Sequence, residues 1–92
     1  MIIQWSASAL DDRIQTFQFI ADDSVTAAAR VDEAIEAAAE HLADFPDSGR
    51  PGRAPKTREW VLNGLPYLLI YSVEGQSLTI WRVLHNSRLW PE

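Results

Sequence analysis

Arg50, Arg53, Lys56, Arg58 and Glu59 fall within ten consecutive residues, and His85 and Arg88 follow near the end of the chain. These residue types suit an anion. Guanidinium groups grip phosphate or carboxylate through a planar fork, and ammonium groups act as point charges. Histidine exchanges a proton near neutral pH. Together they could hold an anionic group and, through the histidine, exchange a proton with it. They equally suit contact with an acidic protein segment. Structural roles compete at each position. Glu59 among basic residues suits an ion pair, and His85 suits a bond to a nearby backbone group. Arg82 shares strand parity with Leu78, Ile80 and Leu84, where an arginine snorkels or pairs with an acid. Arg58 and Glu59 point to opposite faces if both lie in one strand, so direct cooperation between them needs a bulge.

Charge is divided along the chain. Residues 1–47 hold ten acids against Arg13 and Arg30, whereas residues 48–92 hold six bases against Glu59, Glu74 and Glu92. The whole carries −5 at pH 7. Faces of opposite sign are one consequence, and a solvating scatter of charges is the other. With no cysteine, a disulfide framework and a Cys-based zinc site are both excluded. His41 and His85 are too isolated to make a metal-ligand set, and no cofactor motif appears. No signal-peptide pattern precedes the first strand-like segment, and no apolar run approaches about 18 residues, so a cytoplasmic, non-membrane protein is expected.

These residues need a frame, and 92 residues supply one domain, 1–92. Ile2-Ile3-Gln4-Trp5 reads as a strand. Ser8-Ala9-Leu10-Asp11 resembles a capping box, and Leu10, Ile14, Phe17 and Ala21 recur at helical spacing. Asp22-Asp23-Ser24 turns the chain and caps a second helix. That helix places Ala28, Val31, Ile35, Ala38, Leu42 and Phe45 on one stripe and stops at Pro46. The two should form an antiparallel hairpin. Residues 47–56 are a Gly/Pro loop. Three strands follow: 57–63, 67–73 and 78–85, separated by turns at Asn63-Gly64 and Glu74-Gly75. Residues 67–73 are apolar almost throughout, as a central strand buried on both faces requires. Of the four tryptophans, Trp5, Trp60 and Trp81 suit the core, whereas Trp90 either packs back on the sheet or anchors a partner. The expected fold is α+β in the order β-α-α-β-β-β, an N-terminal strand and a helical hairpin followed by a three-stranded antiparallel meander, with the helices on one face of the sheet.

That order of parts resembles the RelE/ParE superfamily of toxins from bacterial type II toxin–antitoxin modules. The resemblance rests on Trp5 with its Ser/Ala entry into the first helix, Phe45-Pro46-x-x-Gly49-Arg50-Pro51, and Thr57-Arg58-Glu59. It continues in Pro66-Tyr67-x-x-x-Tyr71 and Val83-Leu84-His85-x-x-Arg88-x-Trp90-Pro91. It implies a growth-inhibiting toxin neutralised by a cognate antitoxin, touching operator DNA only through that antitoxin. ParE-like members inhibit DNA gyrase, and RelE-like members cleave mRNA on the ribosome. The nuclease branch carries an arginine where this chain has Leu68, which cannot stabilise phosphate charge. A YoeB-like variant set would be Arg58, Glu59, His85 and Arg88. A third possibility is a non-toxic corepressor that binds antitoxin. The missing arginine and the acidic balance favour the ParE-like branch, with Arg50, Arg53, Lys56, Arg58, His85, Arg88 and Trp90 as antitoxin- or target-binding residues.

Overall fold

Ser6 ends the first strand and starts the first helix with one hydroxyl. In a computed structural model that describes residues 1–87, β1 (Ile2–Trp5) leaves the sheet as the Ser6 N–H donates to the Ile80 carbonyl. The Ser6 hydroxyl then donates to the Trp81 carbonyl and accepts the Ala9 N–H. It therefore caps α1 (Ala7–Ala21), two residues earlier than the Ser8 capping box expected from sequence. Ser24 caps α2 (Val25–Asp44) by accepting the Ala27 N–H. Pro46 ends the pair as anticipated.

The remaining strands are β2 (Arg50–Pro51), β3 (Arg58–Val61), β4 (Tyr67–Glu74) and β5 (Ser77–His85). They form one sheet in the order β1-β5-β4-β3-β2, antiparallel except for the parallel β1–β5 pair. The expected β-α-α-β-β-β frame is present, with the two-residue β2 added at the far edge. A Gly/Pro segment gave no period long enough to announce it. Gly64 and Gly75 take positive φ values of 73° and 60° at the two hairpin turns, a region open to glycine at little cost.

One face of the sheet carries Leu69, Tyr71, Leu78, Ile80 and Val83 against Ala9, Ile35, Ala39 and Leu42 of the helices. Each large apolar side chain so buried contributes about 1.5–3 kcal/mol. The other face holds a smaller buried cluster, Leu68, Ile70 and Leu84. β4 is thus buried on both faces, as its composition predicts.

A β-bulge alters the parity expected of β5. Ile70 pairs with Arg82, yet Tyr71 pairs with Ile80, so Trp81 is the extra residue. Val83 joins Leu78 and Ile80 toward the helices, and Arg82 moves to the side of Leu84. Trp81 is pushed outward to 44% exposure, against the core role expected of it, and its indole N–H donates to the Ser72 hydroxyl at 2.8 Å. The edge of β5 left bare by β1 is closed by Asp12. Its carboxylate accepts the Val83 N–H at 2.9 Å and pairs with Arg82 at 2.8 Å and 3.1 Å.

α1 departs from its expected stripe. Small Ala9 is fully buried and lets the helix approach the sheet, whereas Leu10 and Ile14 remain 47% and 55% exposed. The helical seam is held instead by Arg13, which pairs with Asp32 and Glu36 and lies 4.5 Å above the Trp5 ring. Burial opposes the charge on Arg13, but hydrogen bonds and attraction to both acids outweigh it and raise its pKa above the ordinary arginine value.

Candidate functional site

Tyr71 pins the loop that carries most of the candidate cations. Its hydroxyl donates to the Pro46 carbonyl at 2.7 Å and accepts the Gly49 N–H at 2.9 Å. The backbone comes so close that a Cβ at Gly49 would lie 2.5 Å from that hydroxyl oxygen and 3.0 Å from the Glu59 carbonyl oxygen. Tyr71 is fully buried, and burial raises its pKa. The Gly49 N–H and the Arg58 charge work in the opposite direction, and Asp47 adds to the rise. The phenol is therefore a neutral, two-way hydrogen-bonding post. Further along, the Gly52 N–H donates to the Thr57 carbonyl and the Thr57 hydroxyl to the Ala54 carbonyl, both at 2.7 Å. Between them Lys56 stands at φ 64°, a left-handed conformation uncommon for a residue with a side chain.

Arg58 and Glu59 face opposite ways, as strand alternation requires: Arg58 is opposite Tyr71 and Glu59 opposite Ile70. Arg58 donates to the Gly49 carbonyl at 2.7 Å and approaches the Asp47 carboxylate at 3.6 Å. Glu59 is the one buried charged residue among those described. One of its oxygens accepts from Arg50 Nη2 at 3.1 Å, and the other accepts the Arg53 backbone N–H at 3.1 Å. Arg53 Nε stands 3.9 Å away. The loop therefore gathers Arg50, Arg53, Lys56, Arg58 and Glu59 into one neighbourhood, with Arg58 and Glu59 inside it as struts.

His85 lies elsewhere. It pairs with Tyr67, four residues along β4 from the Tyr71 that faces Arg58. At about 3.3 Å per residue this is a separation of ~13 Å along the strand, before the strand spacings are added. Its Nδ1 accepts the Ser87 N–H at 3.2 Å and lies 2.8 Å from the Ser87 hydroxyl, which places the ring proton on Nε2. The ring meets Tyr67 edge-on at 5.4 Å. Together with Asp12, Thr16 and Phe19 these residues line a cleft of about 220 Å³ between α1 and the end of β5. Arg88 and Trp90 lie outside the described residues. Among the described residues no three His, Asp or Glu side chains converge as metal ligands, and no helix is long and apolar enough to cross a membrane.

Two contributors escaped sequence reasoning. Asp12 has no local signal, because its partners Arg82 and Val83 are some 70 residues away. Tyr71 closes the Pro66-Tyr67-x-x-x-Tyr71 motif, but only the fold shows its hydroxyl reaching Pro46 and Gly49. His41, which carried no expected role, stacks between Phe45 and Trp60 with ring centroids 5.2 Å and 5.1 Å away.

Residues 3–90 match a family model described as the ParE toxin of the type II toxin–antitoxin system parDE. The chain is 39% identical over 90 residues to "Putative toxin Y4kP" of Sinorhizobium fredii (strain NBRC 101917 / NGR234), covering 98% of this chain and 93% of that protein. Its fold superposes with a TM-score of 0.81 on a structure titled "Chromosomal ParDE TA system from P. aeruginosa". That match covers 92% of this chain and 95% of the other at 20% identity.

Proposed function

The chain belongs to the ParE toxin family of type II toxin–antitoxin systems, and from this premise we propose that it arrests growth by binding and inhibiting DNA gyrase, without nuclease chemistry of its own. The supporting observation is the dispersal of the candidate nuclease set. Phosphoryl transfer needs base, acid and cation around one phosphate. Here Arg58 and Glu59 point to opposite faces, both are engaged within the loop, and His85 lies two strands away. Leu68, at the strand position where nuclease relatives carry arginine, is buried with Ile70 and Leu84.

Neutralisation by a cognate antitoxin completes the reading. α1 leaves Leu10 and Ile14 exposed beside Phe17 in a shallow groove, a surface that suits the apolar face of a partner helix. The outer edge of β1 carries no proline and suits an added strand, whereas β2 ends in Pro51. Operator DNA is met only through the antitoxin, and the cytoplasm is the place of action.

Induced expression without antitoxin tests this reading. Intact mRNA, double-strand DNA breaks and filamentous growth are expected. Discrete mRNA cleavage at ribosomal A-site codons, lost in His85→Ala, would replace it with the nuclease reading. Absence of any growth defect would replace it with a corepressor that binds antitoxin.

A further inference from the structure

We propose that Glu59 is a positioning residue that shapes Arg50 and Arg53 into a docking site for a short acidic segment of the antitoxin, a proposal that rests on the antitoxin partnership inferred above. The Glu59 side chain is 2% exposed, yet the arginine side chains it holds are 57% and 52% exposed. A buried carboxylate ordinarily draws its counter-charges inward. Here the cations remain in solvent. One carboxylate oxygen fixes the side chain of Arg50, and the other fixes the main chain of Arg53. Both residues are thereby aimed, and most of their N–H donors are left over for a ligand. The turn around Thr57 adds Lys56, held in a left-handed conformation at an exposed position.

The chemistry of the occupant follows from charge and from Pro51. Arg50 and Arg53 share the single Glu59 carboxylate, with Lys56 in the same loop, on a chain of net −5 whose first 47 residues hold ten acids. A long polyanion would run from the loop into that acidic field, whereas a few carboxylates on a peptide meet only the arginines. Pro51 has no N–H and blunts β2 as an edge for strand addition. Recognition then falls to the guanidinium forks, which match carboxylates two oxygens at a time.

Fluorescence anisotropy with a labelled oligoglutamate peptide, and with an oligothymidylate of equal length, tests the site on the full chain. The peptide is expected to bind, less tightly as salt rises, and the Arg50→Ala/Arg53→Ala pair to weaken it about tenfold or more. Glu59→Gln should weaken binding about threefold when both arginines are present and have no effect when both are alanine. A merely structural Glu59 would give no such dependence. The antitoxin should likewise bind the arginine pair variant more weakly. Tighter binding of the oligothymidylate, or no peptide binding, overturns the proposal. Undiminished antitoxin binding by the arginine variant overturns it too, while leaving the antitoxin reading intact. If the antitoxin neither binds nor rescues growth against the unaltered toxin, that underlying reading fails and the proposal with it.

Discussion

Replacing Tyr71 by phenylalanine removes one oxygen and loosens the loop that follows α2. The ring still fills its place in the core, so little apolar burial is lost. What disappears is a 2.7 Å bond to the Pro46 carbonyl and a 2.9 Å bond from the Gly49 N–H. Each hydrogen bond contributes about 1 kcal/mol, and a buried group left without a partner costs about 1–3 kcal/mol. Gly49 is buried, so its N–H has no ready recourse to water. A loss of about 2–3 kcal/mol is expected, out of a total of about 5–15 kcal/mol for a typical domain. At about 4–8 °C per kcal/mol for a chain of this size, Tm should fall by about 10–20 °C. Urea unfolding followed by tryptophan fluorescence measures the change, with an unaltered denaturant slope as the sign that only stability moved. Tyr67→Phe is the control, because the Tyr67 hydroxyl makes no hydrogen bond among the described residues, and it should change stability by less than about 0.5 kcal/mol. Equal effects at the two tyrosines, or a Tyr71→Phe loss below ~0.5 kcal/mol, would refute the role given to this hydroxyl.

Three further outcomes follow from the same geometry. Gly49→Ala should destabilise by about 1–3 kcal/mol through overpacking against Tyr71, seen as a lower urea midpoint. Asp12→Ala should cost about 1–3 kcal/mol by removing the carboxylate that accepts the Val83 N–H and pairs with Arg82, and should speed amide exchange along the second half of β5. Because the folded pKa of Tyr71 is raised, its contribution is complete below the unfolded tyrosine value of about 10 and is lost as pH rises through the folded value. Alkaline titration of tyrosinate absorbance should show a late-ionising tyrosine that Tyr71→Phe removes.

The frame was legible because its signals are local. Ile35 and Leu42 repeat at helical spacing, and residues 67–71 are apolar without a break. What the sequence hid depends on contacts across the fold. The bulge at Trp81 reverses the parity of Arg82 and Val83, and no residue near Trp81 announces it. Arg13 closes the helical seam and leaves Leu10 and Ile14 outside, although their spacing matches a core stripe. Ser6 displaces Ser8 as the cap because a carbonyl on β5 is within its reach. In the loop, the likeness of Arg58-Glu59 to a reactive pair was visible, as was the alternation that separates them. That Glu59 turns inward to brace Arg50 and Arg53 could be read only once β2 was placed beside β3.

We propose above that this chain acts on gyrase as a binding protein. The most direct measurement is DNA supercoiling by purified gyrase, with toxin added alone and then with antitoxin. Dose-dependent loss of supercoiling or trapped DNA breaks, relieved by antitoxin and retained in His85→Ala, is the predicted result. Undisturbed supercoiling, together with toxin-dependent cleavage of mRNA in a purified translation system, would contradict it.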